Sequence, residues 1–282
     1  MPFAQRKSKV LTVSGGKGGT GKTFTAVNLA VEMAKRLAGK TARKVPKAGS
    51  RVLLFDADYH LSNAHLFLGV RLAPCLDRFL KDPASLPEYI MTTEYGVDLI
   101  SFGGDENFVN QIEISADSAI LDELKKLETS YDWIVIDTGA GLTQIILRQI
   151  VMADYALLVT NPEPTSMIDC YKMIKFISRE NPQFKHIDIC VNKAENFEEG
   201  FINFKKLKEI LAQFRVPVQI RFSGVIHRDD QMFNHSLRNG VPIVNLGDNS
   251  HMRESFNYIW DTMLKAPLSR KMESFFERIF LG

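Results

Sequence analysis

A glycine-rich segment with two lysines is the part of the sequence best suited to chemistry. It runs Gly16-Lys17-Gly18-Gly19-Thr20-Gly21-Lys22-Thr23 and fits the phosphate-loop pattern G-x-x-x-x-G-K-[ST] between a predicted strand and a predicted helix. Glycines let backbone N–H groups turn toward phosphate oxygens, because a Cβ would block that approach. We therefore predict that this segment binds ATP, with Lys22 at the β- and γ-phosphates and the Thr23 hydroxyl on Mg²⁺. We also predict a contact between the residue at position 24 and the nucleotide.

A single carboxylate marks the end of another predicted strand. Asp137 follows the apolar run 133–136 and precedes Gly139 and Gly141. An acid at this position is costly to bury unless something pairs with it, and Mg²⁺ is the obvious partner, reached directly or through water. The sequence favours a metal-binding role for Asp137 over a merely structural one, and the two glycines would let this segment approach the γ-phosphate.

Six short apolar runs must position these groups. Such runs predict strands buried on both faces, and therefore a mostly parallel sheet with helices on each side. Polar residues follow five of the runs, at the sheet edge where open α/β proteins bind ligands. The predicted fold is a three-layer α/β/α domain over residues 1–266. The runs are 10–13, 52–55, 97–100, 133–136, 156–159 and 187–191, and the polar residues are Ser14, Asp56, Asp137, Thr160 and Asn192.

Composition excludes several classes of protein. The 282 residues are 45% hydrophobic and 24% charged, with a net charge of +2, which suits a globular α/β domain and gives no overall attraction to polyanions. The three cysteines, Cys75, Cys170 and Cys190, form no C-x-x-C pair, so we expect no zinc site, iron–sulfur cluster or disulfide framework and a cytoplasmic location. No apolar run approaches the ~20 residues that span a bilayer, so any membrane contact is expected to be peripheral.

The segment from Ser14 to Thr23 resembles the K-G-G-x-G-K-[ST] signature of the MinD/ParA family of deviant Walker A ATPases. The resemblance implies a P-loop NTPase fold, slow Mg-dependent ATP hydrolysis stimulated by a partner, and a homodimer that forms on ATP binding. It implies that Lys17 reaches across the dimer to the partner's phosphates. Lys17 and Lys22 would then stabilise the charge of the transition state, as an arginine finger does.

The segment after the second predicted strand resembles the family's switch I, D-x-D-x-x-x-x-N. By that match Asp56 lies near the Mg²⁺ shell, Asp58 orients the attacking water, and Asn63 lies nearby on the switch. The alternative is an aspartate that caps a helix before a surface turn. The expected metal ligands are thus Thr23, Asp56 and Asp137.

Two later segments also resemble family motifs. Residues 160–166 are similar to T-x-P-E-P-T at a strand end, with a helix expected from about Ile168. Asn192 resembles the asparagine that reads the adenine edge, although an asparagine there could equally cap a helix. Residues 225–229 are similar to V-I-P-x-D beside the base, but His227 replaces the proline, which puts the detailed base contacts in doubt.

The D-T-G-A-G sequence at 137–141 and the stretch 162–175 look most like FlhG (also called FleN or YlxH), the branch that controls flagellar number and placement, with the division-site branch MinD second. The expected partner is a flagellar or division regulatory protein. FlhG proteins commonly carry an N-terminal D-Q-A-x-x-L-R-type segment that activates the GTPase FlhF. The first nine or so residues lack it, so we do not expect that activation.

A basic segment keeps a third branch open. Residues 35–51 contain seven basic residues and no acidic one. The segment is either a solvated insertion or a contact for an anionic surface, and it leaves a ParA-like DNA-segregation ATPase as an alternative, although DNA is not the expected partner.

The C-terminal segment, residues 267–282, has an amphipathic pattern. Six apolar residues fall on one helical stripe, and three basic residues, Arg270, Lys271 and Arg278, lie among the other positions. The pattern resembles the membrane-targeting helix of MinD and FlhG, which implies binding to anionic lipid on the cytoplasmic face of the inner membrane. Docking on the protein's own core and binding of a protein partner remain alternatives. The stripe comprises Leu268, Met272, Phe275, Phe276, Ile279 and Phe280.

Overall fold

A computed structural model describes residues 8–39, 52–58, 62–72, 77–101, 118–184, 186–246, 250–265 and 273–281. Its centre is an eight-stranded sheet in the order β3-β4-β2-β5-β1-β6-β7-β8. Only the short β3 runs antiparallel, against β4, and the other neighbours are parallel. The strands are β1 Lys9–Ser14, β2 Val52–Ala57, β3 Met91–Thr92, β4 Val97–Ser101, β5 Trp133–Thr138, β6 Tyr155–Thr160, β7 His186–Ala194 and β8 Gln219–His227.

Helices connect the parallel strands and cover both faces of the sheet, which confirms the predicted three-layer α/β/α class. Two short 3₁₀ segments, Pro83–Tyr89 and Ile243–Asn245, accompany them. The α-helices are α1 Lys22–Leu37, α2 Ala64–Leu68, α3 Asp77–Lys81, α4 Ser118–Ser130, α5 Gln144–Met152, α6 Pro164–Glu180, α7 Phe197–Gln213, α8 Asp230–Asn239, α9 Ser250–Leu264 and α10 Phe275–Leu281.

The predicted strands are all present. β2 and β5 are buried along their whole length, as expected for strands covered on both faces. The sequence analysis did not predict β3 or β8. The first half of β8 is exposed or half-buried because this strand forms one edge of the sheet, so it lacks the continuous apolar run of the central strands.

Successive residues of each strand enter different cores, because side chains alternate between the two faces of a sheet. On one face Leu11 packs with apolar side chains of α1 and α9, including Phe256 and Trp260. On the other face Val10 packs with α4, and a neighbouring cluster on α5, α6 and α7 extends the same layer. The central strands are thereby held between two apolar layers, and only their ends reach polar surroundings.

The C-terminal helix α10 docks on the domain. Phe275, Phe276, Ile279 and Phe280 are at most 3% exposed, and the Phe276 ring lies 5.3 Å from that of Phe55 on β2. The structure thus adopts the arrangement that the sequence analysis held as an alternative to lipid contact, because a short amphipathic helix must bury its stripe. The other stripe residues, Leu268 and Met272, lie outside the described residues, as do Arg270 and Lys271.

Polar contacts hold the start and the middle of α10. Glu128 of α4 accepts hydrogen bonds from the Phe276 backbone N–H and the Ser274 hydroxyl, both at 3.0 Å, and Ser274 accepts from the N–H of Glu277 at 3.2 Å. Arg278 donates to the Met152 carbonyl at 3.1 Å. In this docked arrangement the Arg278 guanidinium turns inward, where burial lowers its pKa, and contact of Arg278 with lipid headgroups stays a prediction.

The basic segment 35–51 lies mainly outside the described residues. Its first two members end α1: Lys35 donates to the Val244 carbonyl at 2.8 Å, and Arg36 pairs with Asp261 and Asn257 of α9. These two cations therefore hold elements of the domain together. Within the described part of the chain, no helix is long and apolar enough to cross a membrane.

Candidate functional site

The phosphate loop joins β1, at the middle of the sheet, to α1. Close backbone approaches require a glycine at Gly15, just before the loop, and at Gly16, its first residue. A Cβ on Gly15 would lie 2.6 Å from the Val159 carbonyl oxygen, and one on Gly16 would lie 2.4 Å from that of Asp169. Both distances are too short for real atoms. β6 and α6 therefore pack directly against the backbone at these two positions and leave no room for a side chain.

The opposite side of the loop is open. A Cβ on Gly19 would meet nothing within 4 Å, and one on Gly18 would meet only Ala140, at 4.0 Å. Gly19 has a φ of +77°, which other residues rarely adopt. The 16-residue α1 starts directly behind this open surface, so its positive end adds to an anion-binding environment, as the sequence predicted.

Lys22 extends back from the first turn of α1 along the loop. Its side chain is buried, and its Nζ donates to the carbonyl of Lys17 at 3.4 Å. Burial lowers the pKa of Lys22, and the charges of Asp137 and Asp58 oppose that change. The ammonium therefore lies between the loop and the acidic ends of two strands, where it can meet a phosphate.

The residue after Thr23 belongs to the core and not to the nucleotide site. The residue at position 24 is Phe24, which offers no polar group for a contact with the nucleotide. Phe24 has no hydroxyl, is 4% exposed, and packs its ring 5.9 Å from Phe67 and 6.0 Å from Phe256. The expectation of a contact at position 24 is therefore corrected, and the loop's only threonine hydroxyls are those of Thr20 and Thr23.

The ends of β2 and β5 bring two carboxylates together. Asp56 and Asp137 are partners in the parallel register, and both are completely buried. Neither oxygen of Asp137 has a hydrogen bond of ordinary geometry within the described residues. The Thr23 hydroxyl and the charge of Lys22 nevertheless lie near enough to lower its pKa. Burial, together with the charge of Asp56, raises the pKa of Asp137 well above its ordinary value.

Asp56 differs from Asp137 because the chain satisfies its oxygens. It accepts hydrogen bonds from the N–H groups of Asp58 and Ala64, at 3.1 and 3.2 Å, and from the Ser62 hydroxyl. Burial raises the pKa of Asp56 to about 6, although these three donors oppose the rise. Asp56 therefore shapes switch I and contacts the start of α2.

Asp58 lies across from the segment that follows β5. A Cβ on Gly139 would lie 3.5 Å from its Oδ1 atom, an ordinary van der Waals distance, so the carboxylate borders this segment directly. Gly141, with a φ of +103°, turns the same segment. Asn63 is exposed at the N-cap of α2 and makes no side-chain cap there. Tyr59, His60 and Leu61 lie outside the described residues.

Lys17 contacts its own subunit. Its Nζ lies 3.2 Å from a carboxylate oxygen of Glu163 and 3.1 Å from the Thr165 hydroxyl, at the start of α6. All three groups are on the surface, with the side chains of Lys17 and Glu163 41% and 59% exposed. Such an exposed ion pair is worth little, so Lys17 can leave it at small cost.

Helix α6 starts earlier than the sequence analysis expected. It begins at Pro164 rather than near Ile168, because a proline has the right φ for the first helical position and lacks an N–H that would go unused there. Ser166 accepts a hydrogen bond from the backbone N–H of Asn161 at 3.1 Å, which joins the helix start to the end of β6.

The AAA domain family matches residues 8–188 of the chain. The antiactivator FleN of Pseudomonas aeruginosa is 28% identical over 224 residues, which are 79% of this chain and 75% of FleN. The flagellum site-determining protein YlxH of Helicobacter pylori is 26% identical over 285 residues, which are 98% of this chain and 91% of YlxH. This chain is a MinD/ParA-type ATPase.

A solved structure repeats the fold of this ATPase. The septum site-determining protein MinD of Pyrococcus horikoshii, complexed with Mg-ADP, superposes with a TM-score of 0.68 and 23% identity, covering 92% of this chain and 96% of that one. At this identity the likeness concerns the fold alone. Membership of the family supports ATP binding and ATP hydrolysis.

The donor set of the ATPase fits magnesium. Mg²⁺ prefers oxygen ligands and commonly combines one or two protein groups with phosphate oxygens and water. The Thr23 hydroxyl and the unbonded Asp137 carboxylate, at the foot of the phosphate loop, offer such oxygens. Asp56 is the weaker candidate for direct contact because protein donors already occupy both of its oxygens.

Asn192 has contacts that the sequence analysis did not foresee. Its amide nitrogen donates to the Thr20 carbonyl of the phosphate loop at 2.7 Å, and its oxygen accepts from the N–H of Lys193 at 2.9 Å. The helix-capping alternative is wrong, because Asn196 caps α7 instead. Adenine reading by Asn192 stays a prediction.

The segment at the end of β8 keeps its place beside β7. The N–H of Arg228 donates to the Ala194 carbonyl at 3.0 Å, and Asp229 caps α8 by accepting from the N–H of Met232 at 2.8 Å. His227, which replaces the family's proline, is half-buried. The turn is thus held by its aspartate and a backbone hydrogen bond.

Several residues of the site escaped the sequence analysis. Glu163 was part of a quoted motif but received no role, although an acid opposite Lys17 is an obvious partner. Ser62 lay inside the switch segment, and nothing about a single serine shows that it contacts Asp56. Lys193 follows Asn192 directly, so its approach to the loop could have been suspected from the adjacent strand end.

Proposed function

We propose that this ATPase is an ATP-switched homodimer that cycles on and off the cytoplasmic face of the inner membrane and regulates flagellar number or placement. The names of its relatives FleN and YlxH support the flagellar role. The observation that carries the switch is Lys17, which is held only by an exposed and weak ion pair near the phosphate site. A division-site role, as the name of MinD suggests, is the second candidate.

The proposed chemistry assigns each charged group one task. Lys22 holds the β- and γ-phosphates, and Thr23 and Asp137, with Asp56 behind them, hold magnesium, which neutralises phosphate charge when bound. Asp58 orients the attacking water by accepting a hydrogen bond from it. Turnover is slow until a regulatory partner completes the site.

Lys17 completes the neighbouring site in this scheme. On ATP-driven pairing its ammonium leaves Glu163 and Thr165 and reaches the γ-phosphate held by the partner subunit. The loss of an exposed ion pair costs about 0–1 kcal/mol, whereas a charge-assisted contact with phosphate is considerably stronger. The exchange therefore favours the dimer only when ATP is bound.

A mixing experiment tests the transfer of Lys17. Lys17→Ala and Asp58→Ala should each be nearly inactive alone. In a 1:1 mixture, the Lys17→Ala subunit keeps its own Asp58 and receives an intact Lys17 from its partner. If half of the dimers are mixed and each has one working site, about a quarter of wild-type ATPase activity should return. No recovery, with mixed dimers shown to form, would place Lys17 in its own subunit's site.

Membrane attachment requires α10 to leave the domain. Its four apolar side chains are buried in the described structure, so they cannot face lipid and the core at once. One short amphipathic helix binds lipid weakly, and two helices on a dimer bind more tightly through avidity. ATP-dependent pairing can thus control residence on the membrane.

Flotation with anionic liposomes tests this step. The full chain should float with ATP more than with ADP, and deletion of 272–282 should abolish flotation. Equal flotation of the deletion variant would remove the lipid role of the helix. Salt-sensitive, ATP-dependent binding to arbitrary duplex DNA would instead favour the ParA-like alternative.

The partner decides between the flagellar and division roles. Asp58→Ala, loaded with ATP, should stay dimeric and retain its partner. Capture of flagellar basal-body proteins by this variant, and not by Lys22→Ala, would support the flagellar role. Capture of division proteins alone would contradict it.

A further inference from the structure

Side chains at the ends of β6 and β7 contact two carbonyl groups of the phosphate loop. Asn192 donates to the Thr20 carbonyl at 2.7 Å, and the Lys193 ammonium donates to the Gly19 carbonyl at 3.0 Å. Asn161, in the amide orientation that turns its nitrogen toward carbonyl oxygens, also reaches Thr20, at 3.2 Å. Side chains from two strands therefore hold two successive carbonyl groups of the loop.

These contacts fix the direction of the neighbouring amides. In a planar trans peptide the N–H points opposite to the C=O. With the carbonyls of Gly19 and Thr20 drawn toward β6 and β7, the N–H groups of Thr20 and Gly21 must point the other way, into the loop. Inward N–H groups attract a phosphate, whereas an inward carbonyl would repel it.

The local backbone shows that this arrangement is built into the fold. Lys193 has a φ of +58°, a left-handed conformation that costs a non-glycine residue free energy and persists only when surrounding contacts maintain it. A Cβ on Gly21 would lie 2.1 Å from the amide nitrogen of Asn192, so Gly21 leaves the space that Asn192 occupies. The two residues and the loop are thus fitted to each other.

We propose that Lys193, together with Asn192, is a positioning residue that braces the phosphate loop for nucleotide binding. Lys193 acts through the Gly19 carbonyl and touches no nucleotide atom. The inference adds a residue outside the phosphate-loop motif to the machinery of this ATPase, and it rests on the binding of ATP that the family supports.

Calorimetric titration with ADP and with pyrophosphate tests the brace. Lys193→Met approximately keeps the length of the side chain but removes the donor. It should lower the affinities for ADP and for pyrophosphate equally, by about 3- to 10-fold. Lys193→Arg keeps a donor and should restore affinity to within about twofold. Lys208→Met, a change at an exposed lysine of α7, is the matched control and should leave both affinities unchanged.

The comparison of the two compounds separates positioning from direct contact. Pyrophosphate lacks the nucleoside, so a loss of affinity for ADP alone would mean that Lys193 acts on the base or ribose, and the brace would be wrong. Unchanged affinity for both compounds would also overturn it. A wild-type chain that binds neither compound would refute the nucleotide site itself, and the brace with it.

Lys193→Gly separates positioning from a structural role. Glycine adopts the left-handed conformation without strain, so the melting temperature of the nucleotide-free protein should be maintained or raised. Affinity for pyrophosphate should nevertheless fall as in Lys193→Met. A melting temperature that falls in proportion to affinity would show that Lys193 only supports the fold, and would overturn the proposal.

Discussion

Two buried carboxylates show how differently this chain treats an acid in its interior. Asp137, at the end of β5, has no hydrogen bond to either oxygen within the described residues. Glu128, near the end of α4, is 2% exposed and accepts hydrogen bonds from Ser274 and Phe276 at the start of α10. A buried acid needs a partner. The chain provides one for Glu128, whereas we propose that the partner of Asp137 comes from outside the chain.

The surroundings of Asp137 and of Glu128 suit two different kinds of binding. Near Asp137 the groups are charged and costly to bury, which suits a site that gains stability on binding Mg-ATP. Near Glu128 the partner is a helix of the same chain, held by apolar contacts and a few polar ones. We propose that each site alternates between a filled and an unfilled state, with ATP controlling the first site and lipid competing for the helix at the second.

The largest effect is expected from Lys22→Ala, which removes the buried cation beside Asp137. The variant loses a buried ammonium that is expected to bind the phosphates and that lies near enough to Asp137 for their charges to interact. Affinity for ATP should fall about a thousandfold or more, because two or more charge-assisted hydrogen bonds are lost. Titration calorimetry measures this, with Lys208→Ala as the control. Unchanged affinity would refute the phosphate-loop assignment.

Asp58→Ala should sharpen the distinction between binding and turnover at the same site. Asp58 lies beside Gly139 and near Lys22, yet it is not expected to hold ATP. The turnover rate should drop about 100- to 1,000-fold, whereas affinity for ATP should stay within a few-fold of wild type. Phosphate release and calorimetry measure the two quantities, and size-exclusion chromatography should show a persistent dimer. Normal turnover would exclude the water-orienting role.

The sequence predicted most of the charged site because its chemistry is local. The phosphate loop is continuous in the chain, and both Asp56 and Asp137 could be placed at one sheet edge from the apolar runs before them. Lys17 could be singled out in the same way. Its contact with Glu163 could not, because that contact joins residues 146 positions apart.

The seat of α10 was not predictable for the same reason. The periodicity of the tail shows an apolar stripe, but periodicity does not tell whether the stripe meets lipid or protein. The deciding residue, Glu128, has no motif around it and meets Phe276 148 positions away. Edge strand β8 was missed because its first half faces solvent and lacks an apolar run.

Glu128→Ala tests whether the buried acid holds α10 in place. The change leaves the apolar stripe intact but removes the acceptor of the Ser274 and Phe276 hydrogen bonds, which together act as an N-terminal cap. Docking should weaken by about 1–2 kcal/mol, so the undocked population should rise about 5- to 30-fold. Flotation with anionic liposomes should then increase without ATP.

The exposed Asp122 of the same helix provides the control for Glu128→Ala. Asp122→Asn should leave flotation unchanged. Reduced flotation of Glu128→Ala, or an increase that persists after deletion of 272–282, would contradict a role for Glu128 in holding the helix.

The last prediction concerns the stability that Asp137 costs the nucleotide-free protein. Its folded-state pKa lies above the unfolded value of 3.8, so its contribution to stability is fully present below that value and is lost as the pH rises through the folded pKa. Asp56, whose pKa is about 6, adds to the same pH dependence. Asp137→Asn should therefore stabilise the protein by about 1–3 kcal/mol at pH 7.5 and by less at pH 4.5, while it weakens binding of Mg-ATP.

A second buried acid provides the opposite control for this measurement. Asp188 of β7 is paired with the guanidinium of Arg221, with oxygen–nitrogen distances of 2.7 and 2.9 Å. Because that acid already has its partner, Asp188→Asn should destabilise the protein by about 2–3 kcal/mol at pH 7.5. Denaturant unfolding of both variants at the two pH values measures the difference. If Asp137→Asn also loses stability at pH 7.5, the carboxylate has a partner within the protein, and the contrast between Asp137 and Glu128 fails.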